Sequence, residues 1–235
     1  MLALKNRPQH LVVTAVVSSK EQKVRYHSLG GSAKEEWVFT PTRVYKLNST
    51  DETVLSSLEN PRASFSGHEL DSHWDEFQFI YFCGYALWQY FNFPYLLARD
   101  DVKAREFATH CEAGQTWRVL EVMSPDPYIF SLHSRMQKHY FNEAFILQRH
   151  DYAPDVVASS PAVYYLYDPV ALNGITFPTL RRVVAGTQGD SGIYVPMTHG
   201  TIPTLIHLVF LKIELAKGEV SEPEEGHIWA KQKPN

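Results

Sequence analysis

Cysteine is nearly absent, since 235 residues hold only Cys83 and Cys111. Neither lies in a C-x-x-C spacing, so no zinc site and no disulfide framework can be read, and a reducing, cytoplasmic setting is expected. An excess of one charge is missing too. Lys and Arg number 22 against 26 Asp and Glu, giving a formal net charge of -4 with the basic residues scattered along the chain. That distribution offers no electrostatic footprint for a phosphate backbone, so nucleic acid is not an expected partner. The N-terminal run MLALKNRPQHLVV has no apolar core of the length a secretory leader needs. Also lacking are G-x-G-x-x-G after a strand, G-x-x-x-x-G-K-[ST] and G-x-S-x-G, which leaves dinucleotide, P-loop and common serine-hydrolase chemistry without support. The glycine-rich run from Gly186 to Gly192 sits between strands, without the helix N-terminus a phosphate cradle requires. No cofactor is expected, and no H-E-x-x-H, H-x-H or facial-triad spacing suggests a metal.

What is present is an ordinary globular composition, 44% hydrophobic and 20% charged, with a high aromatic share of 13%. Short alternating segments recur at 10–18, 22–28, 35–40, 43–47 and 53–58, punctuated by Gly30-Gly31, Pro41 and Asn48 to Asp51. They read as a β-meander. The pattern resumes at Lys103 and continues through 116–123, 128–130, 137–141, 145–152 and 162–167, then 174–177, 180–185 and 205–215.

Between these strand sets lies Trp74 to Ala98, WDEFQFIYFCGYALWQYFNFPYLLA, which reads as the main helix, with Asp71, Ser72 or Asp75 as its cap and a break near Pro94. Phe77, Ile80, Tyr81, Gly84, Tyr85, Trp88 and Phe91 fill one wide face, and Phe79, Phe82, Leu87 and Tyr90 occupy much of the other. A helix apolar nearly all round is buried nearly all round, by lipid or by protein. Gln78, Gln89, Asn92 and Pro94, and the scarcity of Leu, Ile and Val, argue against lipid. The expected fold is therefore mainly β (α+β), a curved antiparallel sheet or half-barrel wrapped around a central aromatic-rich helix. It would span 1–217 as a single domain, with 218–235 a polar tail anchored only by Trp229.

The stretch NPRASFSGHELDSHWDEFQFIYFCGYALWQYFNFPYLLA, with GQTWRVLEV, LQRHDYAPDV and NGITFPTLRRV, resembles a group of largely uncharacterised bacterial proteins with fungal counterparts. The resemblance runs from about Arg43 to Ala185. It implies a lipoprotein-carrier (LolA/LolB-like) half-barrel, an incomplete antiparallel barrel around a helix, and it supplies no established reaction. Members of that group usually begin with a Gly-Gly/Trp-containing helix that is not seen here, and usually carry a histidine where Tyr164 stands.

Several side chains are candidates for chemistry. Strand alternation in Arg149-His150-Asp151-Tyr152 puts His150 with Tyr152 on one face and Arg149 with Asp151 on the other. His150 and Tyr152 could serve as base and hydrogen-bond donor. The plainer alternative is a cross-strand Arg149–Asp151 ion pair beside a satisfied core histidine. His133, near a strand end, is either a third catalytic group or a turn cap. It shares parity with Arg135, Gln137 and His139, which would make a polar stripe. His68 and His73 flank Asp71 at the helix entry, where capping is the default role. Tyr81, Tyr85, Trp88 and Tyr90 on the helix, with His68 and Tyr164, are the expected lining of a small-molecule pocket, because buried polar ring tips need partners or a polar cavity.

Two functions fit this pattern. One is a cofactor-independent cyclase, isomerase or pericyclase such as a Diels-Alderase, acting on a hydrophobic biosynthetic intermediate through His150, Tyr152 and His133. There an aromatic cavity folds the substrate and a few donors polarise it. The other is a non-catalytic carrier or sensor of a lipid or hydrophobic metabolite. A helix face left exposed would invite a homodimer to cover it.

Overall fold

The computed structural model describes residues 5–7, 10–29, 33–93, 95–124, 134–197 and 204–217. Its chain divides into two compact units, one formed by 2–93 with 211–235 and the other centred on 94–210. As expected, the protein is mainly β, with antiparallel sheets and one α-helix among the described residues.

The first unit carries a five-stranded meander in sequence order: β1 (Thr14–Val17), β2 (Val24–His27), β3 (Glu35–Phe39), β4 (Arg43–Asn48) and β5 (Val54–Glu59). The α-helix, α1 (Glu76–Asn92), packs on this sheet. The expected helix was longer at both ends. Its start is fixed by a capping box, in which the Asp75 carboxylate accepts from the Gln78 N–H (2.8 Å) and Gln78 Oε1 accepts from the Asp75 N–H (3.1 Å). Its end is set by Phe93, which is extended, as a residue before a proline prefers to be. The chain then makes a separate 3-10 turn, Tyr95–Ala98.

Register places Val24, Tyr26, Trp37, Phe39 and Val44 on one side of the meander. The helix rings meet that side: Trp37 lies edge-on to Phe77 (5.2 Å between centroids), and Phe39 edge-on to Tyr81 (5.8 Å) and Tyr85 (4.9 Å). Gly84 lies directly under Phe39, where any Cβ would come within 2.2 Å of the Phe39 ring. This close approach of helix to strand is why the aromatic run is interrupted by a glycine.

The second unit is an eight-stranded sheet: β6 (Lys103–Glu112), β7 (Gln115–Met123), β8 (Met136–Phe141), β9 (Leu147–Tyr152), β10 (Ala162–Leu172), β11 (Ile175–Gln188), β12 (Tyr194–Pro196) and β13 (Ile206–Val209). The strands run β6 to β12 in order, all antiparallel, with β13 also paired to β11. Its ends, β6 and β12, pair with different neighbours, so the sheet is open and not closed into a barrel. The two expected segments 174–177 and 180–185 form one continuous strand, β11. The Gly186–Gly192 run turns β11 into β12, strand to strand as expected. The expected strand at 128–130 and the tail with Trp229 lie outside the described residues.

Candidate functional site

Register in the eight-stranded sheet aligns His139 with His150 and His150 with Tyr164, while Tyr152 lies opposite Ala162. Side chains alternate along each strand, so Gln137, His139, His150, Tyr152 and Tyr164 share one face with Val122, Leu166, Arg181 and Val183. The rings form a ladder. His139 stacks on His150 (4.2 Å between centroids, 15° between planes) and Tyr152 stacks on Tyr164 (4.4 Å, 8°). His150 joins the two pairs, 4.7 Å from Tyr152 and 5.7 Å from Tyr164. All four rings are buried. His150 Nε2 lies 2.6 Å from Gln137 Oε1, so it is the nitrogen that carries the proton.

Burial drives both imidazoles towards the uncharged form. It lowers His139 to about 3, helped by the nearby Arg181 guanidinium. His150 lies well below the ordinary histidine range, first through burial and then through its neighbours His139 and Arg181. Histidine in the unfolded chain titrates near 6.5. Between that value and the folded one the unfolded state binds the extra proton, so stability present at neutral pH is lost as the pH falls. For His139 alone the linkage amounts to about 2 kcal/mol at a pH of roughly 5. His139→Gln is therefore expected to flatten the acid limb, measured as the difference in urea midpoint between neutral pH and about pH 5. Equal pH dependence in variant and parent would rule out a neutral, buried His139.

The opposite face of the same sheet carries charge. Arg149, fully buried, reaches Asp151 in a bidentate pair (Nε to Oδ1 2.8 Å, Nη2 to Oδ2 2.6 Å), Glu112 (2.7 Å) and the Tyr194 carbonyl. Tyr140 donates to Asp151 (2.7 Å), Tyr165 donates to Glu112, and His110 Nε2 lies 3.1 Å from Glu112. Burial raises the Asp151 pKa, against the pull of Arg149 and Tyr140. In Glu112 burial works the same way, but the bonds from Tyr165, Arg149 and His110 outweigh it and the pKa is lowered. Trp117, Val119, Tyr140 and Ile193 pack as a small core beside this network.

The expected site residues are thus distributed as follows. His150, Tyr152 and Tyr164 come together, and His139 joins them along the expected polar stripe. Arg149 and Asp151 are an ion pair, as the plainer of the two alternatives had it, but within one strand and one face and not across strands. Tyr81, Tyr85, Trp88 and His68 belong to the first unit. There Tyr81 and Tyr85 are core rings, and the Trp88 indole donates to the Glu21 carbonyl (2.8 Å). His133 lies outside the described residues. Among the described residues no group of three or more His, Cys, Asp and Glu is placed to hold a metal ion, and no helix is long and apolar enough to cross a membrane.

No family model matches the chain, and no curated protein matches it. Solved structures do. A LolA superfamily protein from Nitrosomonas europaea is similar at 10% identity, with 79% of this chain and 74% of that one covered and a TM-score of 0.42. A domain provisionally named for outer membrane lipoprotein sorting, from Vibrio parahaemolyticus, is 8% identical over 72% of this chain and 66% of that one, with a TM-score of 0.39. A DUF1329 family protein from Desulfovibrio piger is 12% identical over 74% and 75%, with a TM-score of 0.34. At such identities the likeness concerns the fold and names no ligand.

The expectation of a cofactor-free cyclase, isomerase or pericyclase acting through His150 and Tyr152 is corrected by the surroundings of these side chains. The geometry supplies a physical reason. A general acid or base works best with a pKa near the operating pH, whereas His139 lies at about 3 and His150 well below its ordinary value. The His150 proton, moreover, is already held by Gln137.

Proposed function

We propose that this protein is a non-catalytic binder and carrier of a hydrophobic molecule, either a lipid or an apolar metabolite. The observation that carries the reading is the uncharged ring ladder of His139, His150, Tyr152 and Tyr164, bordered by Val122, Leu166 and Val183. Its imidazoles are neutral at physiological pH, so apart from the Arg181 guanidinium this face carries aromatic and aliphatic side chains with a few hydrogen-bonding tips. Ligand sites for mostly hydrocarbon molecules have that composition, apolar rings with a small number of placed polar groups. The unpaired thiols of Cys83 and Cys111 support a cytoplasmic setting.

Native mass spectrometry of the purified protein is expected to show a bound lipid or apolar metabolite. After delipidation, the neutral probe N-phenyl-1-naphthylamine is expected to bind saturably with enhanced fluorescence. A protein that emerges ligand-free and gives no saturable probe signal would end the carrier reading.

A further inference from the structure

Two imidazoles stand at the centre of the ring ladder, and the register shows which charges share their face. One directly opposed row crosses the sheet as Glu106, Leu120, His139, His150, Tyr164 and Val183, from β6 to β11. Strand alternation sends Lys138 and Asp151, the charged neighbours in sequence, to the opposite face. In this row and the same-face rows on either side, the charged side chains are Glu106, Arg118 and Arg181. Glu106 is exposed and held by Arg118 in a bidentate pair (2.8 and 2.9 Å), so these two charges cancel at the sheet edge. Arg181 is buried. β8, β9 and β10 add the Gln137 amide and the phenols of Tyr152 and Tyr164. The buried part of the face is therefore positive.

His139 and His150 lie face to face in it, 4.2 Å apart with 15° between planes, and both are buried. Two imidazolium rings so placed, beside a buried guanidinium, would be like charges with no water to screen them. Stacking therefore requires neutral rings. Burial first, and the neighbouring positive charge second, keep both in that form. A solvated imidazole, in contrast, titrates near 6.5. Protons bind the rings readily only once the stack has parted, so a falling pH favours parting. For two imidazoles that bias grows on the order of 500-fold between pH 7 and 5. The ladder spreads the change, because His150 also contacts Tyr152 and Tyr164, which stack on each other.

We propose that the stacked His139–His150 pair is an acid-operated release switch, in which double protonation parts the rings and discharges the hydrophobic ligand held on their face. This inference rests on the carrier reading and assigns its regulation.

Binding of N-phenyl-1-naphthylamine, which stays uncharged throughout, is measured on the full chain from about pH 7.5 to 4.5, with far-UV circular dichroism at each step. The Kd is expected to rise about tenfold or more by pH 5, to recover on return to neutral pH, and to do so with the β signal retained. The slope of log Kd against pH counts the protons taken up on release, and below about pH 6 it should steepen towards a magnitude of about two. His139→Gln and His150→Gln each remove one titrating ring, and each is expected to bring the slope to about one or less and the rise in Kd to about threefold or less. Should either variant not fold, the other and the parent's own slope decide. An affinity indifferent to pH, or a pH dependence equal in the parent and both variants, overturns the switch and leaves the carrier reading intact. Loss of binding that coincides with loss of the β signal is unfolding and overturns it too. Absence of saturable binding at neutral pH overturns the carrier reading and the switch together.

Discussion

Arg149→Met is expected to destabilise the protein by about 3–5 kcal/mol, the range for removing one partner of a buried ion pair. The reason is what the substitution strands. Asp151 is 3% exposed and would keep only the Tyr140 hydroxyl, while Glu112 would lose one of its three bonds. The pair itself offers little net gain over apolar residues of like size, because desolvating two ions offsets their attraction. Arg149→Met with Asp151→Leu is therefore expected to recover more than half of the loss. The single variant should also show a pH signature. With its cation gone, the folded-state pKa of Asp151, already raised by burial, rises further above the unfolded value. An acid with a raised folded pKa loses stability as the pH climbs from the unfolded pKa to the folded one, so the deficit is largest at neutral pH and shrinks towards about pH 4. Urea midpoints of the parent, single and double variants across that interval decide the matter. A single variant within about 1 kcal/mol of the parent, or a double variant no better than the single, would show that Asp151 is not stranded.

The parts of this network differed in how far the sequence disclosed them. Strand alternation within RHDY places Arg149 and Asp151 on one face, since that relation is local and has period two. Glu112, Tyr140 and Tyr165 could not be assigned to it. They lie on β6, β8 and β10, and the pairing that unites them depends on the register of five strands, including a bulge in the β6–β7 pair near Phe107 to His110. The same distinction governs the ring ladder. The shared face of His150 and Tyr152 follows from one strand, and the stripe from Gln137 to His139 from another. The stacking of His139 on His150 requires the β8–β9 register, which is shifted between Tyr140 and Phe141. Lys5 left no signal at all. It is a lone charge near the N-terminus, and the hydrogen bonds from the Trp74 N–H to its carbonyl (3.1 Å) and from its ammonium to the Glu69 carbonyl (3.1 Å) tie it to the helix entry. The helix was legible because its burial is written into every turn, and its length was overstated because 3-10 residues after Pro94 carry the same apolar composition.

Gly84 supplies the second large effect, and the two terms it involves oppose each other. On propensity alone, alanine in a helix interior is worth about 1 kcal/mol more than glycine. Against this stands the Phe39 ring, whose Cγ, Cβ and Cδ1 would lie 2.2, 2.6 and 2.6 Å from the new methyl. These are the atoms at the root of the side chain, so Phe39 cannot yield by rotating its far end, and either α1 or β3 must move. Overpacking of this kind typically costs about 1–3 kcal/mol and sometimes more. Here Phe39 is fully buried and also packs on Tyr81 and Tyr85, which transmits the displacement to the helix core. Sterics should win, and Gly84→Ala is expected to lower stability by about 2 kcal/mol or more despite the better helix former. Phe39→Ala alone should cost about 3–5 kcal/mol through the cavity it leaves. Combined with Gly84→Ala, part of that space is refilled and the contacts with Cγ and Cδ1 disappear, while the one with the Cβ of residue 39 (2.6 Å) remains, so the double variant is expected to be more stable than the sum of the singles by about 1–2 kcal/mol. Additive losses in such a cycle, measured by urea unfolding, would mean that helix and strand do not meet at Gly84.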